Sequence, residues 1–166
     1  MYRKVFVLLA VLSLSLHSAG DEALDRATLR GVKAVNVVAD PVAPELEKEG
    51  ATSDALRTRL EQKLRDGGIE IDSAALEFVG LRITSVRAAR GPLAITADIA
   101  IYQPVTLVRD RTVKTTTKTW EADTIVLADT KQVYRACMDS MDELAGRFVT
   151  AYRSVNPQKG SDRADK

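Results

Sequence analysis

Leu93-Ala94-Ile95-Thr96-Ala97-Asp98-Ile99-Ala100-Ile101-Tyr102-Gln103-Pro104-Val105-Thr106-Leu107 is the stretch on which the fold turns. Leu93, Ile95, Ala97, Ile99, Ile101, Val105 and Leu107 share one parity, while Thr96, Asp98, Tyr102 and Thr106 share the other. Successive side chains of a strand point to opposite faces. The alternation therefore predicts a long antiparallel strand with one face on a core and one in water. Pro104 has no N–H to give to a ladder, so it belongs at an edge or a bulge. Gln103 interrupts the apolar parity, and a buried amide has to be hydrogen-bonded. It either satisfies backbone groups freed by a bulge at the proline or makes a specificity contact in a pocket between sheet and helices.

The neighbours of this strand repeat its logic. Upstream, Phe78 to Ala88 sets Val79, Leu81 and Ile83 against Gly80, Arg82 and Thr84, and Arg90-Gly91-Pro92 turns the chain into the long strand. Downstream, Arg109-Asp110-Arg111 marks a second turn, and Thr112 to Glu121 returns as a Thr-rich strand. Asp123 to Ala128, with Ile125, Val126 and Leu127, extends it or forms a further one. Earlier in the chain a β-rich segment near 32–39 predicts a first strand ended by Asp40-Pro41, and Val42 to Gly50 reads as a solvated loop.

Two helices complete the set. One starts at Thr52 or Ser53, repeats Leu56, Leu60 and Leu64, and stops at Gly67-Gly68, with Ile69-Glu70-Ile71 following as a short strand. The other follows Thr130 and carries Val133, Cys137, Met141, Leu144, Phe148 and Tyr152 on one stripe until Asn156-Pro157. The order β-α-β-β-β-α predicts an α+β fold. It would be a two-layer sandwich, a mainly antiparallel sheet of three to five strands with both helices on one face. Helices on both faces are the second arrangement the pattern permits.

The first 20 residues read as an export signal. Arg3 and Lys4 precede the apolar run Val5 to Leu16, and Ser18-Ala19-Gly20 offers small residues before Asp21. Twelve apolar residues make a helix of about 18 Å, short of the roughly 30 Å hydrocarbon core, so a cleaved leader is favoured over a membrane anchor. The expected organisation is a leader over 1–20, one domain over 21–156 and a polar, disordered tail over 157–166. Cleavage leaves 146 residues with 22 basic and 23 acidic side chains, a balance unlike that of a nucleic-acid binder. It also removes His17, the only histidine of the chain. Ser-His-Asp and Cys-His catalysis and His-ligated metal are then excluded. The single Cys137 makes no intramolecular disulfide, and its place on an apolar stripe reads as core.

Few residues invite chemistry. Asp139, Asp142 and Glu143, at i, i+3 and i+4, are spaced to approach a cation but read as a solvated helix face. Asp98 and Glu121 on neighbouring strands have the residue types of a glycosidase pair, but their parities place them at the surface. Lys114, Thr116, Lys118 and Trp120 form one sequence parity beside Arg109 and Arg111. Lysines there protect a sheet edge from aggregation, or, with Trp120 as anchor, they dock an envelope protein, a glycan or a lipid headgroup. The predicted binding residues are thus Gln103, Arg109, Arg111, Lys114, Lys118 and Trp120. No catalytic residue, cofactor, metal, nucleic acid or membrane span after cleavage is predicted, and the oligomeric state is left open.

The leader, the Leu56-x3-Leu60-x3-Leu64 helix ending at Gly67-Gly68-Ile69, the long Ile/Thr hairpin and the closing amphipathic helix together resemble the small α/β modules of bacterial envelope proteins. The layout is similar to the outer-membrane lipopolysaccharide-assembly lipoproteins, in which two helices back one sheet and the protein acts as plug and chaperone. This sequence lacks their lipid-bearing cysteine at the cleavage site, and no site residue is carried over. The expectation is an exported, periplasmic or secreted, non-enzymatic binding module. A histidine-free hydrolase or lyase and a small-ligand carrier are the alternatives.

Overall fold

The computed structural model describes residues 21–87 and 91–157; the leader, residues 88–90 of the Arg90 turn and the tail from 158 lie outside the described residues. The elements run α1 (Ala23–Ala27), β1 (Ala34–Ala39), α2 (Pro44–Glu47), α3 (Ser53–Asp66), β2 (Glu70–Ile71), β3 (Phe78–Arg87), β4 (Leu93–Leu107), β5 (Asp110–Ala128) and α4 (Val133–Val155), with one 3-10 turn at Thr130–Gln132 before α4. The fold is α+β. A five-stranded mixed sheet of order β2-β1-β3-β4-β5 carries both long helices on one face. One more strand is present than the predicted order holds. The segments 112–121 and 123–128 are one continuous strand, β5, and the turn before it is at Val108-Arg109, with Asp110 already paired to Leu107.

The β4 alternation decides the layering as the sequence implies. Leu93, Ile95, Ala97, Ile99 and Ile101 are buried against the helices, joined by Val79, Leu81 and Ile83 of β3 and by Val35 and Val37 of β1. α4 lies over β4 and β5, α3 lies over β1 and β2, and the two helices touch each other. Leu56, Leu60 and Leu64 of α3 meet Cys137, Met141, Leu144 and Phe148 of α4 in this single core. β1 runs parallel to both β2 and β3 because α3 carries the chain back across the sheet between β1 and β2.

Local chemistry sets the element ends. The Thr52 hydroxyl accepts the Ala55 N–H at 3.2 Å and caps α3. At its other end Gly68 holds φ +85, while Gly67 is right-handed and needed for space, since a Cβ there would stand 2.5 Å from a Val149 methyl. Arg153 of α4 donates to the Gly67 carbonyl at 3.0 Å and so caps α3 from the neighbouring helix. Asn156 ends α4 as a clamp: it accepts the Gly31 N–H at 2.8 Å and donates to the Leu29 carbonyl at 2.9 Å.

The 42–50 region departs from the predicted solvated loop. Pro44 starts one helical turn, which turns Leu46 fully into the core. Among the described residues no helix is long and apolar enough to cross a membrane.

Candidate functional site

The face of the sheet away from the helices is laid out in rows by the strand register. At one end Val86, Ala94 and Leu127 stand side by side, and next come Thr84, Thr96 and Ile125. Arg82, Asp98 and Asp123 make the middle row, Gly80, Ala100 and Glu121 the fourth, and Phe78, Tyr102 and Lys118 the fifth. Gly80 is small for a reason. The Tyr102 ring lies across it, 3.1 Å from where a Cβ would be, and stacks on Phe78 with centroids 4.7 Å apart and planes 9° from parallel. The Thr84 and Thr96 hydroxyls are hydrogen-bonded at 2.5 Å.

Charges crowd the middle of this face. Arg82 donates to Asp40 at 2.8 Å, and Lys118 pairs with Glu121. Asp98 lies among Arg82, Lys118, Asp40 and Glu121. Burial raises its carboxyl above the usual range, and the neighbouring cations do not fully reverse that. Asp98 and Glu121 therefore do share a face, as diagonal neighbours on the open sheet, not in a cleft.

Past the fifth row the hairpin leaves the core. Residues 108–118 are exposed throughout, and β4 from Pro104 alternates only between exposed and half-buried. This arm carries Arg109, Arg111, Lys114 and Lys118 against a single acid, Asp110. The Asp110 carboxylate accepts from the Thr112 N–H at 3.0 Å and hydroxyl at 2.7 Å, which locks the start of β5. Val108 at the apex is 94% exposed.

A bulge at the arm's root corrects the predicted stripe. Ile101 pairs with Trp120, but Tyr102 pairs with Lys118, so Thr119 is an extra residue. The bulge moves Trp120 off the face shared by Lys114, Thr116 and Lys118 and into the core. There it is 1% exposed, meets Phe148 edge-on at 5.1 Å, and donates its indole N–H to Asp21 at 2.7 Å. Trp120 is a core anchor and not a docking residue. Asp21 also takes a two-pronged bond from Arg26 at 2.8 and 3.0 Å. Burial opposes its ionisation, but the Arg26 and Trp120 hydrogen bonds win and hold the carboxyl below its usual range. Gln103 accepts the Thr119 hydroxyl at 2.5 Å. Its amide thus serves the bulge, which sits at Thr119 and not at the proline. Arg109, Arg111, Lys114 and Lys118 lie together on the arm.

Two of the acidic trio on α4, Asp139 and Asp142, are engaged by cations. Asp142 takes Arg59 at 2.8 and 2.6 Å and Lys63 at 3.0 Å, bonds that lower its carboxyl below the usual range, and Asp139 takes Arg135 at 3.3 Å. No group of three potential metal ligands occurs among the described residues. Cys137 is fully buried, and burial pushes its thiol up to about 11.

The chain's sequence matches no protein-family model and no curated protein. Among solved structures it is similar to bacterial lipoproteins. One is a minor lipoprotein from Acinetobacter baumannii, 12% identical over 75% of this chain and 95% of that one, with a TM-score of 0.35. Another is the rare lipoprotein B from Shewanella oneidensis, 14% identical over 73% and 96%, at 0.33. A PelC dodecamer from Paraburkholderia phytofirmans is 13% identical over 79% and 93%, at 0.45. No residue role passes from them to this chain. The features that sequence reasoning missed are the Thr119 bulge and the Asp21–Trp120 bond; neither carries a local sequence signal.

Proposed function

We propose that the chain is a non-enzymatic, exported binding module that engages an anionic component of the cell envelope through the β4–β5 arm. The observation that carries this is the arm itself. It is a two-stranded projection exposed on both faces, with cations in excess and no share in the core. An isolated hairpin is marginal in water, so the arm keeps its order as a continuation of the core ladder while its side chains stay open to a partner. Arg109 and Arg111 flank Asp110 next to Val108 at the apex, and Lys114 stands further down β5. Cations so placed steer an acidic protein surface, an anionic glycan or a lipid headgroup into contact.

The test removes the arm without touching the core. Joining Gln103 to Thr117 through Asn-Gly should leave a folded protein. Intact protein should sediment with isolated envelope membranes or cell-wall fractions, and the shortened form should stay in solution. The triple variant Arg109→Glu, Arg111→Glu, Lys114→Glu should behave like the shortened form. Undiminished envelope binding by either would overturn the proposal.

Asp98 favours a second function, a histidine-free hydrolase or lyase, because a carboxyl raised by burial is suited to donate a proton, and Glu121, its diagonal neighbour, supplies a second carboxyl. Turnover of a glycan by the purified protein, lost in Asp98→Asn with the fold intact, would establish it. The described clefts, of about 80 to 530 Å³, open to solvent, unlike the closed cavity of a small-ligand carrier.

A further inference from the structure

We infer that the anionic component met by the arm is a phospholipid bilayer, and that the tip of the arm enters its headgroup layer with Val108 foremost. This rests on the binding role proposed above and names the partner.

The tip is apolar as well as cationic. Val105, Leu107, Val108 and Val113 crowd into residues 105–113, and none of them joins the core. Val108 at the apex is 94% exposed and Val113 is 42% exposed. One exposed aliphatic on a flat surface is ordinary, but the apex of a projection is the part that meets a partner first.

The charges form a collar behind that apex. Arg109, Arg111 and Lys114 make no salt bridge among the described residues, whereas Lys118 is held by Glu121. The one acid of the tip, Asp110, is turned onto Thr112, and three cations against it leave a net charge of about +2. Protection of a sheet edge accounts for Lys114 on β5 but not for Arg109, which lies in the turn itself. An apolar point ringed by unpaired cations matches a surface that is anionic outside and apolar beneath.

Shape separates this partner from the other two. Protein interfaces centre on buried aromatic anchors, and small ligands and sugars take concave sites. Residues 104–118 contain no aromatic side chain, and the tip is convex. A fluid bilayer closes around a convex point. The arm is also long enough: six residues from Tyr102 to Val108 reach about 20 Å, while interfacial insertion needs about 5–10 Å, so the core stays clear of the lipid. The chain enters the domain at this same end, because Asp21 is bonded to Trp120 beside the Thr119 bulge where the arm begins. A leader held in a membrane during export would therefore present the arm's end to that membrane.

The protein as the cell processes it should bind vesicles containing about 30% phosphatidylglycerol about 25-fold more tightly than pure phosphatidylcholine, since each net charge is worth about fivefold. Salt at about 0.5 M should release it. Arg109→Gln with Arg111→Gln leaves Lys114 against Asp110 and should erase the preference. Val108→Ser keeps every charge and should weaken binding about tenfold. Val108→Trp should strengthen it, with a blue-shifted indole emission quenched by chain-brominated lipids; Trp120 is buried and gives a constant background. All three positions are exposed, so melting curves should be unchanged. Envelope binding that needs the arm, without arm-dependent binding to phosphatidylglycerol vesicles, would overturn the lipid partner and leave the arm's role standing with a protein or glycan. Vesicle binding indifferent to Val108→Ser, or an indole at 108 that stays in water, would overturn insertion. Envelope binding undiminished in the arm-shortened protein would sink both readings.

Discussion

The two halves of the β4–β5 hairpin are made of the same strands in the same ladder, yet they behave as different materials. From Leu93 to Ile101 and from Trp120 to Ala128, alternate residues are buried or half-buried beneath α4. From Tyr102 to Lys118 no residue joins the core, and side chains on both parities meet water. Backbone pairing is common to both halves, so the difference lies in cover. Hydrophobic burial holds the inner half, and the outer half persists as an extension of a ladder already nucleated. Thr119 marks the boundary. Its extra residue lets Trp120 enter the core while Lys118 stays on the open face.

The largest expected contrast is between the two sides of that boundary. Trp120→Ala should cost about 3–5 kcal/mol, because it empties a fully buried site against Phe148 and leaves Asp21 without its indole donor. Urea unfolding measures it directly. A cost under about 1 kcal/mol would mean that the inner half is not held by burial.

Gln103→Leu tests the boundary itself. The lost bond from the Thr119 hydroxyl should cost about 1 kcal/mol by the same measurement. It should leave envelope binding untouched, since the amide oxygen is taken up by the Thr119 hydroxyl at the bulge. Unchanged stability together with weakened binding would return Gln103 to the specificity role that its sequence position allowed.

How much of this was legible beforehand follows from the range of each interaction. Period-two alternation in β4 and the Leu56, Leu60, Leu64 repeat are local patterns, and they yielded the two-layer sandwich and the helix-bearing face. Leu46 was hidden because one apolar residue among Pro44, Glu45 and Glu47 makes no period. The bulge was hidden because Lys118 and Trp120 look alike in parity. Only the partner strand's register shows the inserted Thr119. The cationic cluster of the arm was legible as a group because a hairpin keeps sequence neighbours together. The open-face rows needed three strands at once.

Carboxylates distinguish the open face from the helix layer in the sign of their pH response. Asp98, raised by burial, is charged at neutral pH at a cost. That cost is absent where the group is protonated in both folded and unfolded chains, and it grows as pH rises through the unfolded and then the folded value. Asp142, lowered first by Arg59 and also by Lys63, supplies stability above the unfolded value and loses it as pH falls through the folded one. Asp98→Asn should therefore raise, and Asp142→Asn lower, the melting temperature at neutral pH. Each effect is within about 1 kcal/mol, and both should fade near pH 3. Matching signs at neutral pH would break the distinction.

The smallest effect belongs to the arm. Lys114 is exposed and lies outside the core, so its removal breaks no contact there. Lys114→Ala should change unfolding free energy by less than about 0.5 kcal/mol. The same substitution removes one of the arm's four cations, so the association rate with anionic envelope fractions should fall, and its salt dependence should flatten. A stability loss as large as that of Gln103→Leu would mean that the outer half carries structural load after all. A rate unchanged at low salt would mean that the arm's charge guards the sheet edge and steers nothing.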